Sequence, residues 1–224
     1  MTGLFLQCRL DSSRLPRKAL LPLGGVPLIE RVMEALEAVQ VDVKVLLTSE
    51  DSYEGLKDSA ERKGFEIFAG PKEDVLARYL LASEKYGVEQ IVRATGDNPY
   101  VSALLANRIL LSHLERKADY SGFLGMPLGT GVEVLKTAAL RITAQETEES
   151  YDHEHVAPYL YNNPKRFIIN RPDISEEFGF SHRKISVDTP DDLALAERIF
   201  LESGKIFPLE IDGLMEWIKK DETP

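Results

Sequence analysis

The sequence contains a single cysteine, Cys8, among its 224 residues. One cysteine cannot form an intramolecular disulfide, so we expect a cytoplasmic protein. Cys8 lies in an apolar run, where a thiolate is disfavoured, which favours a buried core residue over a nucleophile. No apolar run approaches the roughly 20 residues that span a bilayer. The first residues also lack the basic region and cleavage site of a signal peptide, so we expect no membrane partner.

Basic residues are in the minority. The chain has 27 Lys and Arg against 37 Asp and Glu, a formal charge of −10. Such a charge repels a nucleic-acid backbone, so no nucleic-acid partner is expected. A small anionic ligand needs only a local positive site, which the net charge does not exclude. The Walker pattern GxxxxGK[ST] is absent as well, which argues against a P-loop NTPase.

The first half of the chain alternates short apolar runs with segments of helical periodicity. The predicted strands are a first one centred on Phe5 and Leu6, followed by residues 43–47, 65–68 and 91–94. The predicted helices between them cover residues 29–36, 51–63 and 75–82. This alternation predicts an α/β fold in which helices cover both faces of a mostly parallel sheet.

The second half is less regular. Strands are predicted at 131–135 and 184–187, and helices at 104–114, 152–161, 190–202 and 210–220. Thr189 and Pro190 suit the N-cap and the first position of the helix over 190–202. Trp217 and the stripe at 109–111 are interpreted as core or dimer contacts. No linker divides the chain, so residues 1–224 are interpreted as one domain.

A basic loop, residues 9–18, follows the first predicted strand. It carries four cations and two hydroxyl groups: Arg9, Arg14, Arg17, Lys18, Ser12 and Ser13. Ligands of open α/β sheets bind beyond the carboxyl ends of the strands. Guanidinium and ammonium groups bind phosphate oxygens. The loop therefore indicates a triphosphate site, although charge alone leaves a solvated surface loop equally open.

Two aspartates directly follow later apolar strands. Mg²⁺ takes one or two protein carboxylates together with phosphates and water, so Asp97 and Asp188 are candidate ligands. The alternative for Asp97 is a turn closed by Pro99. Capping of the next helix explains Thr189 but not Asp188, which strengthens the metal interpretation of Asp188.

Six motifs in order give the chain a resemblance to a family. They are SSRLPRK (12–18), LPLGGVP (21–27), DVLARY (74–79), TGDNP (95–99), EHVAPY (154–159) and VDTPDDL (187–193). Together with Arg9, this set resembles the cytidylyltransferases that activate acidic sugars. The group of spore coat polysaccharide biosynthesis protein F looks most similar, alongside the ketodeoxyoctonate and acylneuraminate cytidylyltransferases.

The resemblance implies a three-layer, Rossmann-like nucleotidyltransferase fold, and often a homodimer to which residues 120–187 contribute the acceptor or dimer side. It implies transfer of CMP from CTP to the hydroxyl of an acidic sugar, with release of pyrophosphate, for surface polysaccharide or glycan synthesis. Mg²⁺ is the implied cofactor, held by Asp97 and Asp188.

The family motifs also assign roles to residues. The implied catalytic residues are Arg9, Lys18 and Asp97. The implied nucleotide-binding residues are Arg9, Ser12, Ser13, Arg14, Lys18, Arg78, Thr95 and Gly96. For Arg78, helix packing is an equal alternative. The roles of Asp74 and His155 stay open, and the spacing of His153 and His155 does not suit a shared zinc ion on one helix face.

The sequence departs from the family pattern at three positions. Asp11 stands where the family has glycine, and a carboxylate about 4 Å from a phosphate costs about 4 kcal/mol at an effective dielectric of ~20. Ser102 and Gly131 stand where the family has aspartates. These departures leave two alternatives open: a nucleotidyltransferase with another nucleotide or acceptor, and a non-catalytic nucleotide-binding relative.

Overall fold

The computed structural model describes residues 1–222. The strands are Thr2–Gln7 (β1), Pro22–Leu23 (β2), Val26–Pro27 (β3), Val43–Ser49 (β4), Glu66–Gly70 (β5), Gln90–Thr95 (β6), Tyr120–Gly122 (β7), Glu133–Lys136 (β8) and Ile169–Asn170 (β9). Seven of them form one sheet in the order β5-β4-β1-β6-β8-β7-β9. Strand β8 pairs antiparallel with both of its neighbours, and the remaining pairs are parallel. The predicted mostly parallel sheet is confirmed.

Ten α-helices are seen in residues 1–222. They are Leu28–Ala35 (α1), Tyr53–Arg62 (α2), Val75–Tyr86 (α3), Ala103–Arg116 (α4), Thr137–Glu146 (α5), Ser150–His155 (α6), Pro158–Asn162 (α7), Ser175–Phe178 (α8), Pro190–Glu202 (α9) and Ile211–Glu222 (α10). In this part of the chain, no helix is long and apolar enough to cross a membrane.

Alternation along the central strands creates two separate cores, because successive side chains of a strand point to opposite faces. Leu4 and Leu6 of β1 pack with residues of α1, α2 and α4. Phe5 packs on the other face with residues of α3, α5 and α7. The result is the predicted three-layer arrangement, which places the carboxyl ends of β1 and β6 next to each other at one edge.

Helices α9 and α10 build a third apolar cluster beyond the sheet. It contains Trp217, whose indole N–H donates to Glu202 at 2.9 Å. Trp217 is therefore a core residue. Helix α9 begins with the predicted capping box, in which Thr189 accepts from the backbone of Asp192 and the Asp192 side chain accepts from the backbone of Thr189. This cap fixes the segment that carries Asp188.

Two predicted elements were wrong. Residues 184–187 form an isolated bridge from Lys184 to Leu128, not a strand. Their backbone N–H groups bond instead to loop carbonyls, such as Val187 to Asp97 at 2.8 Å. The helix predicted over 152–161 is two short helices, because Val156 adopts a left-handed φ of 70° that ends α6.

Candidate active site

The basic loop forms one wall of a cavity of about 380 Å³ beyond the carboxyl ends of β1 and β6. We call it the nucleotide cavity. The loop residues in its wall are Arg9, Asp11, Ser12, Ser13, Arg14 and Lys18. The rest of the wall is Gln7, Cys8, Thr95, Gly96, Asp97, Glu154 and Asp188. Every candidate site residue from the sequence except Arg78 thus lies around this one cavity.

The backbone turns sharply before Lys18. Arg17 has a left-handed φ of 54° and precedes a 3-10 turn, Lys18–Leu20. Its own side chain is exposed and does not line the cavity, whereas that of Lys18 is 15% exposed and points into it. The turn therefore directs the side chain of Lys18 into the cavity and leaves that of Arg17 exposed.

The Lys18 ammonium group holds the two candidate metal ligands together. Its Nζ donates to Asp97 Oδ2 and to Asp188 Oδ1, both at 3.0 Å, and to the Val187 carbonyl at 2.8 Å. Two carboxylates that converge on one cation form a donor set that suits a divalent ion completed by phosphate oxygens and water. Residues 1–222 contain no group of three or more His, Cys, Asp or Glu that could hold a metal ion without such a ligand.

Asp188 has more cationic neighbours than Asp97. Arg14 donates to its Oδ1 at 2.9 Å and Lys184 lies 3.1 Å from its Oδ2. Burial acts to raise the pKa of Asp188, but the hydrogen bonds of Lys18 and Lys184 outweigh it and lower this pKa. The carboxylate is thus charged, as a metal ligand must be.

Asp97 is oriented by its own turn. The Thr95 hydroxyl donates to Asp97 Oδ1 at 2.7 Å, and Asn98 donates to the same hydroxyl oxygen at 3.0 Å. Gly96 is needed here because an added Cβ would lie 2.9 Å from the Cβ and Sγ of Cys8. Cys8 itself is buried as predicted, and burial followed by the charge of Asp97 raises the pKa of its thiol to about 12.

Asp11 is neutralised within the cavity wall. Its Oδ2 lies 3.1 Å from Lys72 Nζ, and its Oδ1 lies 3.5 Å from Arg9 Nε. Lys72 also pairs with Asp51 at 2.6 Å, and Arg9 donates to the Lys72 carbonyl at 3.5 Å. The unfavourable carboxylate is therefore part of an ion-pair network that extends away from the cavity.

Arg78 lies behind this network. Its side chain is fully buried, and its guanidinium donates to the carbonyls of Pro71 and Lys72. Asp74 is the N-cap of α3, where it accepts from the Ala77 N–H at 2.8 Å. Both side chains form hydrogen bonds with backbone groups, and those of Arg78 support the segment that carries Lys72. Burial lowers the pKa of Arg78, and the charge of Arg9 adds to that effect.

Helix α6 contributes Glu154 to the wall of the nucleotide cavity. This residue belongs to the motif EHVAPY, but the sequence predicted no role for it. Its neighbour His153 faces away, with ring nitrogens 3.0 Å from Asp74 Oδ1 and 3.0 Å from the Thr147 carbonyl. His155 is exposed and its ring lies tilted against that of Tyr151, with ring centroids 4.4 Å apart. Of the motif EHVAPY, Glu154 therefore lines the nucleotide cavity and His155 does not.

A second cavity of about 360 Å³ adjoins the first and shares Thr95 with it. Arg93 of β6 and Glu133 of β8 are register partners and form an ion pair in its wall. The Tyr120 hydroxyl donates to Glu133 Oε1 at 2.9 Å. The sequence interpretation missed this cluster, because it depends on the pairing of β6, β8 and β7 and has no local pattern.

The two remaining departures also have structural explanations. Ser102 is the N-cap of α4 and accepts from the Leu105 N–H at 3.2 Å, a role that serine and aspartate share. Gly131 lies in the wall of the second cavity beside Met126. A Cβ at position 131 would lie 3.1 Å from both Sδ and Cε of this methionine.

The family model described as cytidylyltransferase matches residues 4–209. Spore coat polysaccharide biosynthesis protein SpsF of Bacillus subtilis is 30% identical over 89% of this chain and 86% of its own length. An uncharacterised protein of Methanocaldococcus jannaschii is 31% identical over 96% of this chain and 89% of its own length.

Solved structures share the fold. A cytidylyltransferase from Leptospira borgpetersenii superposes with a TM-score of 0.90 at 24% identity, over 98% of this chain and 94% of that one. CMP:2-keto-3-deoxy-manno-octonic acid synthetase in complex with CTP gives a TM-score of 0.71 at 15% identity, over 92% and 99%. Rv0371C of Mycobacterium tuberculosis in complex with manganese gives 0.62 at 16% identity, over 88% and 97%.

The match covers most of the chain, including both carboxylates and the loop that surrounds them, and the fold agrees with it. The chain therefore belongs to the cytidylyltransferase family and is a nucleotidyltransferase.

Proposed function

We propose that the chain transfers CMP from CTP to a hydroxyl group of an acidic, sugar-like acceptor and releases pyrophosphate. The observation that carries this proposal is the convergence of Asp97 and Asp188 on Lys18, next to the cations Arg9 and Arg14. That arrangement suits a triphosphate with a divalent ion. Relatives named as cytidylyltransferases support CTP as the nucleotide.

The chemistry follows from these groups. The acceptor hydroxyl loses its proton to solvent as its oxygen forms a bond to the α-phosphorus; the bond from this phosphorus to the bridging oxygen breaks, and pyrophosphate leaves with that electron pair. Arg9, Arg14 and Lys18 hold the phosphates and stabilise the charge that grows on the leaving group. A magnesium ion on Asp97 and Asp188 would add charge neutralisation at the phosphates and lower the pKa of a bound hydroxyl.

The acceptor is proposed to lie in the second cavity. Thr95 borders both cavities and donates to Asp97, so an acceptor hydroxyl at this border would lie beside the reacting phosphate. Much of the wall here comes from β7, β8 and the loop between them, which supports the proposal that residues 120–187 supply the acceptor side. The homodimer, the single domain over 1–224 and a role in surface polysaccharide synthesis stay predictions.

The test is pyrophosphate release from CTP and Mg²⁺ with a panel of ulosonic and nonulosonic acids. Asp97→Asn should reduce turnover by roughly 10³-fold, by analogy with loss of one preorganised charge-stabilising group. The control is Asp212→Asn on the exposed start of α10, which should leave turnover unchanged. Full activity of Asp97→Asn would contradict the metal assignment.

The nucleotide is tested separately by thermal shift with CTP, UTP, GTP and ATP, each with Mg²⁺. The largest stabilisation is expected with CTP, because at equal concentrations the ligand that binds the folded state most tightly raises its stability most. A larger shift with UTP or GTP would contradict the cytidylyl assignment without affecting the site.

A further inference from the structure

The charges of the side chains in the wall of the second cavity sum to zero. Within residues 1–222 the charged ones are Arg93 and Glu133, which pair with each other. Burial acts to lower the pKa of Arg93, but the charge of Glu133 outweighs burial and raises it. A carboxylate placed in this cavity would meet no unpaired cation in the wall. Because desolvation of an unpaired charge is strongly unfavourable, the wall suits an uncharged group.

Part of this wall is apolar. Phe123, Met126 and Val132 all line it, and the first two are half-buried while Val132 is buried. Met126 fills the space beside Gly131, since a Cβ there would lie 3.1 Å from its Sδ and Cε. The φ of Gly131 is not in the left-handed region, so the backbone does not require glycine at this position. The glycine instead makes room for the methionine.

The border at Thr95 fixes which end of an acceptor meets which wall. In a 2-ulosonic acid the carboxyl group and the reacting hydroxyl are on the same carbon atom. For an acceptor whose hydroxyl lies at Thr95, we place the carboxylate on the side of the nucleotide cavity, because the wall there contains three cations, Arg9, Arg14 and Lys18, and could also hold a metal ion. The remote end of the acceptor extends into the second cavity, against the neutral wall.

We propose that Met126, seated against Gly131, selects acceptors whose remote end is uncharged and carries an apolar substituent, either a deoxygenated carbon or an acyl methyl group. This inference rests on the proposed function, because it takes the second cavity as the acceptor site. It narrows the acceptor from acidic sugars in general to those with a partly apolar tail.

The experiment measures acceptor binding by calorimetry in the presence of CTP and Ca²⁺. The probes are two ulosonic acids that are identical except for hydrogen or hydroxyl on the terminal carbon. The wild type should bind the deoxy acceptor about tenfold more tightly, the lower end of what one apolar contact contributes to discrimination. Met126→Gln should reduce this preference to about twofold, and Met126→Leu should retain it.

The matched control is Leu111→Gln on the exposed face of α4, outside the cavity wall, which should keep the tenfold preference. Gly131→Asp is the second variant, expected to favour the hydroxylated acceptor. Equal affinity of the wild type for both acceptors, no binding of either, or an unchanged preference in folded Met126→Gln would overturn the inference. Pyrophosphate release is measured in parallel, because selective binding without release contradicts only the proposed function.

Discussion

The nucleotide cavity and the second cavity lie side by side and share Thr95, yet their charges are arranged in different ways. In the first, Arg9, Arg14 and Lys18 lie beside Asp97 and Asp188, so the carboxylates would hold a metal ion and the cations would bind a triphosphate. In the second, Arg93 and Glu133 neutralise each other and part of the neighbouring wall is apolar. A cavity whose wall carries several cations and carboxylates thus adjoins a cavity whose wall carries a single ion pair.

The comparison indicates that the two cavities would bind their ligands through different interactions. In the nucleotide cavity the cations are paired with carboxylates, and a metal ion and a triphosphate would replace these pairs, so nucleotide affinity should depend on salt and on single cations. In the second cavity the proposed acceptor contacts are shape and apolar contact, and the ion pair joins β6 to β8. Changes in the first should alter activity with little effect on folding, whereas changes in the second should affect stability or selectivity.

The largest effect is expected from Lys18→Met in the nucleotide cavity. The value of kcat/KM should fall by roughly 10³-fold, because Asp97 and Asp188 lose their shared cation and the phosphates lose one charge-stabilising group. Pyrophosphate release measures the loss, and Lys165→Met on the exposed surface is the control. Activity within tenfold of the wild type would place the key cation elsewhere.

Glu133→Gln tests the second cavity. Removal of this charge leaves the largely buried Arg93 without its ion-pair partner, so the free energy of unfolding should fall by about 2 kcal/mol. Glu177→Gln is the matched control, because its pair with Arg108 is about half exposed and should contribute at most about 0.5 kcal/mol. Urea denaturation measures both. Equal losses in the two variants would show that the Arg93 pair is not effectively buried.

A smaller effect is expected from Asp11→Gly. The Asp11 carboxylate already pairs with Lys72, so its repulsion of a phosphate is largely offset. CTP should bind about threefold more tightly to the variant, within the range of partly exposed charges, and the gain should shrink at high salt. Calorimetry measures the affinity. Weaker binding would instead mean that Asp11 positions Arg9, which its 3.5 Å contact would allow.

The smallest effect is expected at His153 of α6, the helix that contributes Glu154 to the nucleotide cavity. Hydrogen bonds to the Thr147 carbonyl and to Asp74 raise the pKa of His153 above its ordinary value of 6.5. A raised folded-state pKa stabilises the protein fully below the unfolded value and loses that contribution as pH rises through the folded value. The stability difference between wild type and His153→Gln should therefore shrink between about pH 6 and pH 8.

Asp74→Asn provides the second arm of this test. Asparagine still caps α3, but the negative charge facing His153 is lost. The pH dependence should weaken in this variant as well. A difference between wild type and His153→Gln that stays constant with pH would show that the pair contributes no proton-linked stability.

Much of the nucleotide cavity could be predicted from the sequence, because its residues follow strands directly. The loop 9–18 and Asp97 each come after a buried parallel strand, and such strand ends meet at one edge. Asp188 could be singled out because Thr189 and Pro190 fixed the start of α9. The alternation of apolar runs with segments of helical periodicity also predicted the three layers, a sheet with helices on both faces.

The second cavity could not be predicted in this way. Its ion pair joins β6 to β8, and the antiparallel insertion of β8 between β6 and β7 has no signal in local periodicity. The alternation in residues 184–187 resembled a strand, but the backbone donors of this segment bond to loop carbonyls. Asp11, although correctly placed in the basic loop, required Lys72 to explain how its charge is tolerated.

The bond between Lys18 and Asp188 joins residues separated by 170 positions in the chain. Contacts of such separation require closure of a very long loop, which costs entropy and delays their formation during folding. During synthesis, the lysine leaves the ribosome long before its partner exists. A chain that stops short of Asp188 lacks this carboxylate, whatever part of the sheet it has formed. The metal and nucleotide binding proposed above would therefore require synthesis of the chain at least as far as Asp188.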